Sequence, residues 1–259
     1  MVRLRQRCEM TMKYAISDGE RREAVRGLKG TCPVCEAAVT PRCGRFRAAH
    51  WAHPPGIVDH RWEPETEWHR QWKDFFPKEC QEVCHRAENG EKHLADVKTA
   101  HGQVLEFQHS AISEEERSSR EAIYQRMCWV VNGLRLKNDK QKFIGALRRG
   151  LVVRENPLTV VAPTASCLLL RKWENSQKLV VFDFGEREEP SDPVHFGVPV
   201  LWTSRPGRQK GETVLMPIYR ARFVDAMIKG ADLIGVKIIM APVRVPAPPW
   251  MRPRQSRRF

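Results

Sequence analysis

Polar and apolar residues alternate along residues 93–110, and this pattern predicts two short strands joined by a tight turn. Successive side chains of a strand point to opposite faces, so Glu106 and Gln108 share one face of the second strand. On the first strand the same rule places Asp96 on one face with Lys98. The pattern therefore lines one face of the predicted hairpin with acidic and other polar side chains.

The length of the predicted turn decides how the two carboxylates are placed. A three-residue turn at 100–102, with Gly102 in the left-handed conformation, sets Asp96 directly across from Glu106. A turn that differs by one residue makes the pair diagonal, and the side chains still lie close. Adjacent carboxylates repel each other, and a divalent cation is the usual reason for such a pair. A solvated outer face of the hairpin is the alternative.

The residues on either side of this hairpin predict an α/β core. A helix is predicted over 64–76, and a strand follows it at 79–85. After the hairpin, the chain predicts a helix over 112–126 and, from a continuous apolar run, a buried strand over 127–132. The acidic residues of the hairpin would therefore project from the central strands of this core.

Both predicted helices carry polar residues at informative positions. Ser113 and Glu116 form a capping box, in which each side chain satisfies a backbone N–H of the other residue. In the first helix, Glu65, His69 and Lys73 are spaced four residues apart and share one face. By themselves these three residues are typical of a solvated helix face.

Outside this core the pattern is less regular. A weak alternation over 12–18 predicts one strand near the N-terminus. The C-terminal half contains no catalytic motif, and its tail is rich in proline and arginine, which predicts disorder. The strands predicted for this half are 159–162, 167–173, 179–184, 198–203 and 212–216, and one helix is predicted from Pro217 to about residue 229.

A second candidate site lies near the N-terminus, where cysteines and histidines have the spacing of metal ligands. Cys32 and Cys35 form one close pair, and His50 and His53 form a second. Tetrahedral zinc takes four such sulfur and nitrogen ligands. Cys43 is an alternative to one histidine, and a set of unligated residues is the alternative to a metal site. The surrounding segment is poor in aliphatic residues, so metal binding of about 10 kcal/mol or more would supply the missing folding energy.

The composition predicts an anionic partner. The 259 residues carry a formal net charge of +13, and nucleic acid is the commonest partner of such a chain, with a membrane surface as the alternative. No apolar run is long enough to span a bilayer, and no apolar segment follows the N-terminal arginines as in a secretory signal. We therefore expect a cytoplasmic protein whose eight cysteines are thiols or metal ligands rather than disulfides.

Together these motifs resemble the CoiA-like competence protein family, whose nuclease domain is similar to the PD-(D/E)XK superfamily. The resemblance covers about residues 12–132 and holds in the order of the chain. Two positions depart conservatively from the family pattern, because Trp51 stands where phenylalanine is usual and Thr66 where serine is usual. The matching residues are Cys32, Cys35, His50-Trp51-Ala52-His53, Glu65, His69, Lys73, His93, Asp96, Glu106-Phe107-Gln108, Ser110, Ile112-Ser113, Arg120, Tyr124 and Trp129-Val130.

The resemblance implies a magnesium site. Asp96 and Glu106 would hold Mg2+ or Mn2+, with the Phe107 carbonyl as a candidate third ligand. Glu65 would face the same ion as the first acidic position of the superfamily, and Glu67 is the alternative for that role. These are roles that the resemblance implies for residues of this sequence.

Gln108 departs from the superfamily pattern, in which a lysine at this position orients the attacking water. An amide can orient a water but cannot accept its proton. The metal alone, or Lys98 or Lys73 reaching into the site, would then have to lower the pKa of that water. The residues that would position the substrate are His69, Lys73, Lys98, Arg120 and Tyr124.

We therefore predict an α/β protein with a zinc-binding segment at 1–60, a PD-(D/E)XK restriction-endonuclease-like core at 61–149, an α+β region at 150–241 and a basic tail at 242–259. The predicted function is Mg2+-dependent hydrolysis of DNA in uptake, recombination or processing. A non-catalytic DNA-binding or recombination-accessory protein with a weak or silent nuclease site is the alternative. A zinc protein that binds another protein is a third hypothesis.

Overall fold

The structure of the protein is a computed structural model in which the chain separates into two compact units, Met1–Lys98 and Thr99–Phe259. The boundaries predicted after residues 60 and 149 fall inside these units, and they stay predictions about which segments fold on their own. The predicted tail at 242–259 lies outside the described residues. The described residues are 11–45, 48–54, 65–86, 90, 92–155, 157–186, 200–207 and 209–231.

The first unit begins with a six-stranded antiparallel sheet of short strands. The strands are β1 (Thr11–Met12), β2 (Tyr14–Ser17), β3 (Glu20–Glu23), β4 (Gly30–Thr31), β5 (Ala38–Arg42) and β6 (His50–Ala52). They follow in the order β1-β6-β5-β4-β2-β3. The single strand predicted over 12–18 is instead divided at Lys13, because β1 pairs with β6 whereas β2 pairs with β3 and β4.

The first unit continues with helix α1 (Glu67–Asp74), a 3-10 turn at Lys78–Cys80, and a hairpin of β7 (Gln81–Arg86) and β8 (Lys92–Lys98). A small core lies within the six-stranded sheet around Trp51, which is fully buried. Partly buried side chains of the β7–β8 hairpin pack against this core. The N-terminal sheet and the hairpin therefore share apolar contacts inside one compact unit.

Helix α1 begins later than the sequence predicts. Thr66 is its N-cap, and the backbone N–H of Thr66 donates to Nδ1 of His69 at 3.1 Å in a reciprocal capping box. Glu65 therefore precedes the helix and does not lie on its face, and Pro64 lies outside the described residues. The helix ends where Phe75 leaves the helical hydrogen-bond pattern, two residues before Pro77.

The second unit contains a mixed sheet whose strands follow in the order β11-β12-β15-β14-β13-β10-β9. Three of these strands are parallel, with β10 between β9 and β13, and the remaining pairs are antiparallel. The elements are β9 (Val104–Gln108), α2 (Glu114–Ile123), β10 (Met127–Asn132), α3 (Asp139–Arg149), β11 (Leu151–Glu155), β12 (Leu158–Pro163), α4 (Leu168–Trp173), β13 (Leu179–Asp183), β14 (Val200–Pro206), β15 (Glu212–Tyr219) and α5 (Arg220–Ile228).

One predicted element of the C-terminal half is wrong, one begins later than predicted, and two were not predicted. The strand predicted at 167–173 is helix α4, because its buried residues Leu169, Leu170 and Trp173 recur at helical spacing. The helix predicted from Pro217 to about residue 229 is present as α5, but it begins at Arg220, since β15 continues through that proline. Helix α3 and strand β11 were not predicted.

The order of elements between residues 65 and 132 is confirmed, since a helix, three strands, a helix and a buried strand follow one another. The turn after β8 also has its predicted left-handed glycine, with Gly102 at φ 75°. The fold is therefore mixed α/β. None of the described helices combines the length and apolar character that a bilayer crossing requires.

Candidate functional site

The side chain of Lys73 is buried among three carboxylates of the first unit. It extends from the last turn of α1, and only 1% of it is exposed. Its Nζ lies 2.7 Å from Glu82 Oε1, 3.0 Å from Glu65 Oε1 and 3.4 Å from Asp96 Oδ1. The expectation of a solvated helix face is therefore wrong, because tertiary contacts bury both His69 and Lys73.

Different elements bring these carboxylates to Lys73. Glu65 lies just before α1, where its Oε2 pairs with Arg70 at 2.7 Å. Glu82 and Asp96 come from β7 and β8, whose flanking residue pairs place them opposite each other across the hairpin. Asp96 retains 16% exposure of its side chain, whereas Glu65 and Glu82 are almost fully buried. We call these five residues, Glu65, Arg70, Lys73, Glu82 and Asp96, the lysine cluster.

The electrostatics of the lysine cluster keep Lys73 charged. Burial by itself would lower the pKa of the Lys73 ammonium, but the three surrounding carboxylates outweigh burial and raise that pKa above its ordinary value. The carboxylates formally carry three negative charges, and Lys73 and Arg70 carry two positive charges, so one negative charge remains. Lys73 is therefore an ammonium at neutral pH inside a weakly acidic cluster.

Glu82 is the functional candidate that the sequence did not indicate. It stands in a strand of mixed composition with no partner at a characteristic spacing. In the structure its backbone has a φ of 45°, in the left-handed region that a residue with a side chain rarely adopts. Such a conformation persists only where surrounding contacts enforce it, so the backbone geometry is the signal that singles out this residue.

The other basic and aromatic residues predicted for substrate positioning lie in different contacts. His69 closes the capping box of α1, as described above. Nζ of Lys98 lies 2.9 Å from Nδ1 of His85, and burial together with this ammonium lowers the pKa of His85. Tyr124 is buried at the C-terminal end of α2. Lys73 and Lys98 were the two lysines predicted to reach into the acidic site. Lys73 contacts carboxylates of the first unit, whereas Lys98 contacts His85.

The second unit carries the remaining predicted catalytic residues on β9. Every residue of this strand is buried, so Glu106 does not lie on a solvated hairpin face. Arg120 of α2 lies 3.4 Å from Glu106 Oε2 and 2.7 Å from Glu116 Oε1. One of the two hydrogen bonds of the predicted capping box is present, because Oγ of Ser113 accepts from the backbone N–H of Glu116 at 3.1 Å. The carboxylate of Glu116 faces Arg120 instead.

A cleft lies beside the carboxyl ends of β9 and β10. Gln108 lines this cleft together with apolar side chains from α4. Nε2 of Gln108 donates to the carbonyl of Ser110 at 3.3 Å, and Asn132 contacts His109 at 3.0 Å. In open α/β sheets, ligands bind outside the carboxyl ends of the strands. Gln108 therefore lines a cleft at the edge of the sheet where ligands bind in such folds.

Asp96 belongs to the first unit, whereas Glu106 and Gln108 belong to the second. The predicted pairing of Asp96 with Glu106 stays a prediction, as do the catalytic roles of all four predicted residues.

Cys32, Cys35 and His53 form a group that could hold a metal ion, because their ligand atoms lie within 4.8 Å of one another. Sγ of Cys35 is 3.5 Å from Nε2 of His53. The backbone N–H of Val34 points at Sγ of Cys32 at 3.4 Å, and Glu36 closes the turn with a φ of 62°. Such an N–H stabilises the negative charge of a metal-bound sulfur. The geometry therefore fits a metal-binding turn.

His50 does not belong to this group of three, and its predicted place as the fourth zinc ligand stays a prediction. Its Nδ1 contacts the carbonyl of Ala48 at 2.9 Å. An odd separation along an extended segment sends side chains to opposite faces, which explains why His50 and His53 diverge. Cys43 also lies outside the group and donates to the carbonyl of Ala24 at 3.7 Å.

Comparison with known proteins identifies no relative of this chain. No protein-family model matches the chain, and no curated protein or solved structure matches it. The resemblance to the CoiA-like family stays a prediction from the residues.

Proposed function

We propose that this protein is a Mg2+-dependent nuclease of the PD-(D/E)XK type, which hydrolyses phosphodiester bonds of DNA. One observation carries the proposal, namely the ammonium of Lys73 buried among the carboxylates of Glu65, Glu82 and Asp96. Removing charges from water costs several kcal/mol for each ion. Clusters of this kind concentrate where a protein binds or transforms charged ligands.

The oxygen donors fit a hard cation. Mg2+ prefers carboxylate oxygens, and we propose that Asp96 and Glu106 hold it. The residual negative charge of the lysine cluster attracts a divalent ion, and the partial exposure of Asp96 gives that ion access. When bound, Mg2+ acidifies a coordinated water and neutralises charge on phosphoryl oxygens.

The ammonium beside Asp96 is that of Lys73, whereas the Gln108 amide is neutral. Because its pKa is raised, Lys73 remains protonated and cannot act as a general base. Its ammonium instead stabilises negative charge that develops on the attacking water and the phosphate. The Gln108 side chain orients the water through hydrogen bonds, and it leaves proton acceptance to solvent or to substrate oxygens.

The charge of the whole chain supports DNA as the substrate. Its 44 lysines and arginines exceed its 31 acidic residues, and a basic surface attracts the phosphate backbone without regard to sequence. Arg120 would contact a substrate phosphate, because its guanidinium lies beside the proposed magnesium ligand Glu106.

The test is a cleavage assay with the variants Asp96→Ala and Glu106→Ala on linear and branched DNA in Mg2+. We expect either variant to cleave DNA about 100-fold more slowly or worse, because stabilisation of the transition state by the metal is worth several kcal/mol. Glu79→Ala is the matched control, since Glu79 is an exposed carboxylate near β7. Undiminished cleavage by both variants would show that the metal site is misassigned.

We further propose that Cys32, Cys35 and His53 hold a structural zinc ion. Two sulfurs and one imidazole are typical zinc ligands. Burial raises the pKa of the Cys32 thiol to about 11, so zinc binding at neutral pH must release its proton. The affinity for zinc is therefore expected to increase with pH up to that value.

Metal analysis of purified protein tests the zinc site. We expect about one zinc per chain, as one tetrahedral site requires, and loss of that zinc in Cys35→Ser. Cys43→Ser is the matched control and should keep its zinc, because Cys43 lies outside the group. A full zinc content in Cys35→Ser would contradict the proposed zinc site.

A non-catalytic DNA-binding or recombination-accessory protein is the second candidate function. It is favoured by the same ammonium, because Lys73 already neutralises carboxylates that would otherwise require a cation. Gln108 also fits a silent site. DNA binding that survives Asp96→Ala, together with no wild-type cleavage in Mg2+ or Mn2+, would establish this alternative.

A further inference from the structure

The carboxylate of Glu82 joins the lysine cluster to the N-terminal sheet. The backbone N–H of Lys13 donates to both of its oxygens, at 2.9 and 2.8 Å. The backbone N–H of Tyr14 donates to Oε2 at 3.0 Å. On its other side, Oε1 accepts from Nζ of Lys73 at 2.7 Å. One buried carboxylate thus receives two consecutive backbone amides and one ammonium.

The two amides belong to the residues where the chain passes from β1 to β2 in the N-terminal sheet. Lys13 lies between β1 and β2, where the chain passes from pairing with β6 to pairing with β3 and β4. The side chain of Lys13 reinforces the contact, since its Nζ lies 2.7 Å from Asp74 and 3.0 Å from Gln81. Charge-assisted hydrogen bonds of this kind are the stronger ones in proteins.

The same strands lead directly to the cysteine–histidine group. Thr11 and Met12 of β1 pair with Ala52 and Trp51 of β6, and His53 follows at the end of that strand. Met12 and Trp51 lie in one core cluster with Cys32. Two of the three candidate ligands are therefore anchored by the strands that position the amides of Lys13 and Tyr14.

We infer that Glu82 is a positioning residue through which a metal ion bound by Cys32, Cys35 and His53 controls the arrangement of Lys73. This inference rests on the proposed function, since it describes how that site is regulated. With the metal bound, the N-terminal sheet holds its two amides on Glu82, and Glu82 in turn holds Lys73 beside Asp96. Without the metal, Glu82 loses these amides, and its strained left-handed backbone is no longer enforced.

Hydrogen exchange of the full-length protein tests the coupling without any need for activity. In Cys35→Ser, we expect amide exchange in α1 and β7 to increase by about 10-fold or more, whereas β13 of the second unit keeps its protection. Cys43→Ser serves as the control and should match the wild type. Unchanged exchange in α1 and β7 after metal loss would overturn the inference.

The variant Glu82→Gln provides a second test, because it removes one charge and keeps the shape. We expect it to retain zinc and to lose about 10- to 100-fold in kcat, as is usual for residues that orient a metal or catalytic group. KM for DNA should change little, since Glu82 is buried and is not one of the residues proposed to contact DNA. Glu79→Gln is the matched control. A kcat equal to that of the wild type would overturn the positioning role.

The double variant Cys35→Ser, Glu82→Gln separates coupling from general instability. If the coupling passes through Glu82, the double variant is about as impaired as Glu82→Gln alone, whereas independent effects would multiply. Multiplied effects would therefore contradict the inference. If the wild type shows no cleavage but metal loss still increases exchange in α1 and β7, the proposed function fails while the coupling stands.

Discussion

At the scale of single residues, the three carboxylates around Lys73 depend on its ammonium for charge compensation. Its Nζ lies within 3.4 Å of three carboxylates that are mostly or fully buried. Removing one partner of a buried ion pair leaves the others uncompensated in a medium of low dielectric constant. The lysine cluster therefore makes the stability of the first unit sensitive to this one side chain.

Replacing Lys73 with methionine tests this dependence. We expect Lys73→Met to lower the free energy of unfolding by about 3–5 kcal/mol, because three carboxylates would be left close together without their ammonium. Denaturant titration measures the change. Lys78→Met is the matched control, since the Lys78 side chain is 76% exposed and should change stability little. A stability equal to that of the wild type in Lys73→Met would contradict the buried cluster.

The sequence could predict part of this site but not its assembly. Glu65, Lys73 and Asp96 were all singled out by spacing or by strand alternation. Their convergence on one ammonium depends on tertiary contacts between α1 and the β7–β8 hairpin, which spacing does not encode. Glu82 was missed because its role follows from a left-handed backbone and two distant amides.

At the scale of elements, the start of α1 is set by a capping box that the sequence analysis did not use. Thr66 and His69 exchange hydrogen bonds there, and this fixes the register of the helix that carries Lys73. The family pattern expected serine at this position, and threonine retains the hydroxyl that caps the helix. Threonine at this position therefore serves the capping function that serine would also serve.

The cap can be tested by substitution of Thr66. We expect Thr66→Ala to lower the free energy of unfolding by about 1 kcal/mol, because the N-cap acceptor is lost. Thr66→Ser should restore most of that stability, since serine offers the same hydroxyl. Thermal and denaturant unfolding of the three proteins provide the comparison. Equal stability of the alanine and threonine proteins would argue against the cap.

Element prediction succeeded where periodicity was strong and failed where it was short or interrupted. The continuous apolar run of β10 identified a buried strand at its observed bounds, Met127–Asn132. The run that became α4 has only six residues, too few to distinguish a helix from a strand by its apolar pattern. Helix α3 was missed because charged residues obscure its buried positions Phe143, Ile144 and Leu147.

At the scale of the whole molecule, opposite charges are distributed in a way that fits the proposed nuclease function. The chain carries a net charge of +13, while the lysine cluster keeps one negative charge in the first unit. A basic chain draws in the nucleic-acid backbone, and a local acidic cluster recruits a divalent cation. Composition predicts an anionic partner, whereas the fold shows where acidic groups gather within that basic chain.

The central claim is that the acidic residues bind a divalent cation, and crystals soaked in Mn2+ test it most directly. Anomalous diffraction locates manganese without any assumption about activity or substrate. The account predicts a manganese ion bound by the carboxylates of Asp96 and Glu106, with Lys73 close to it. Manganese absent from both carboxylates at saturating concentration would contradict the account.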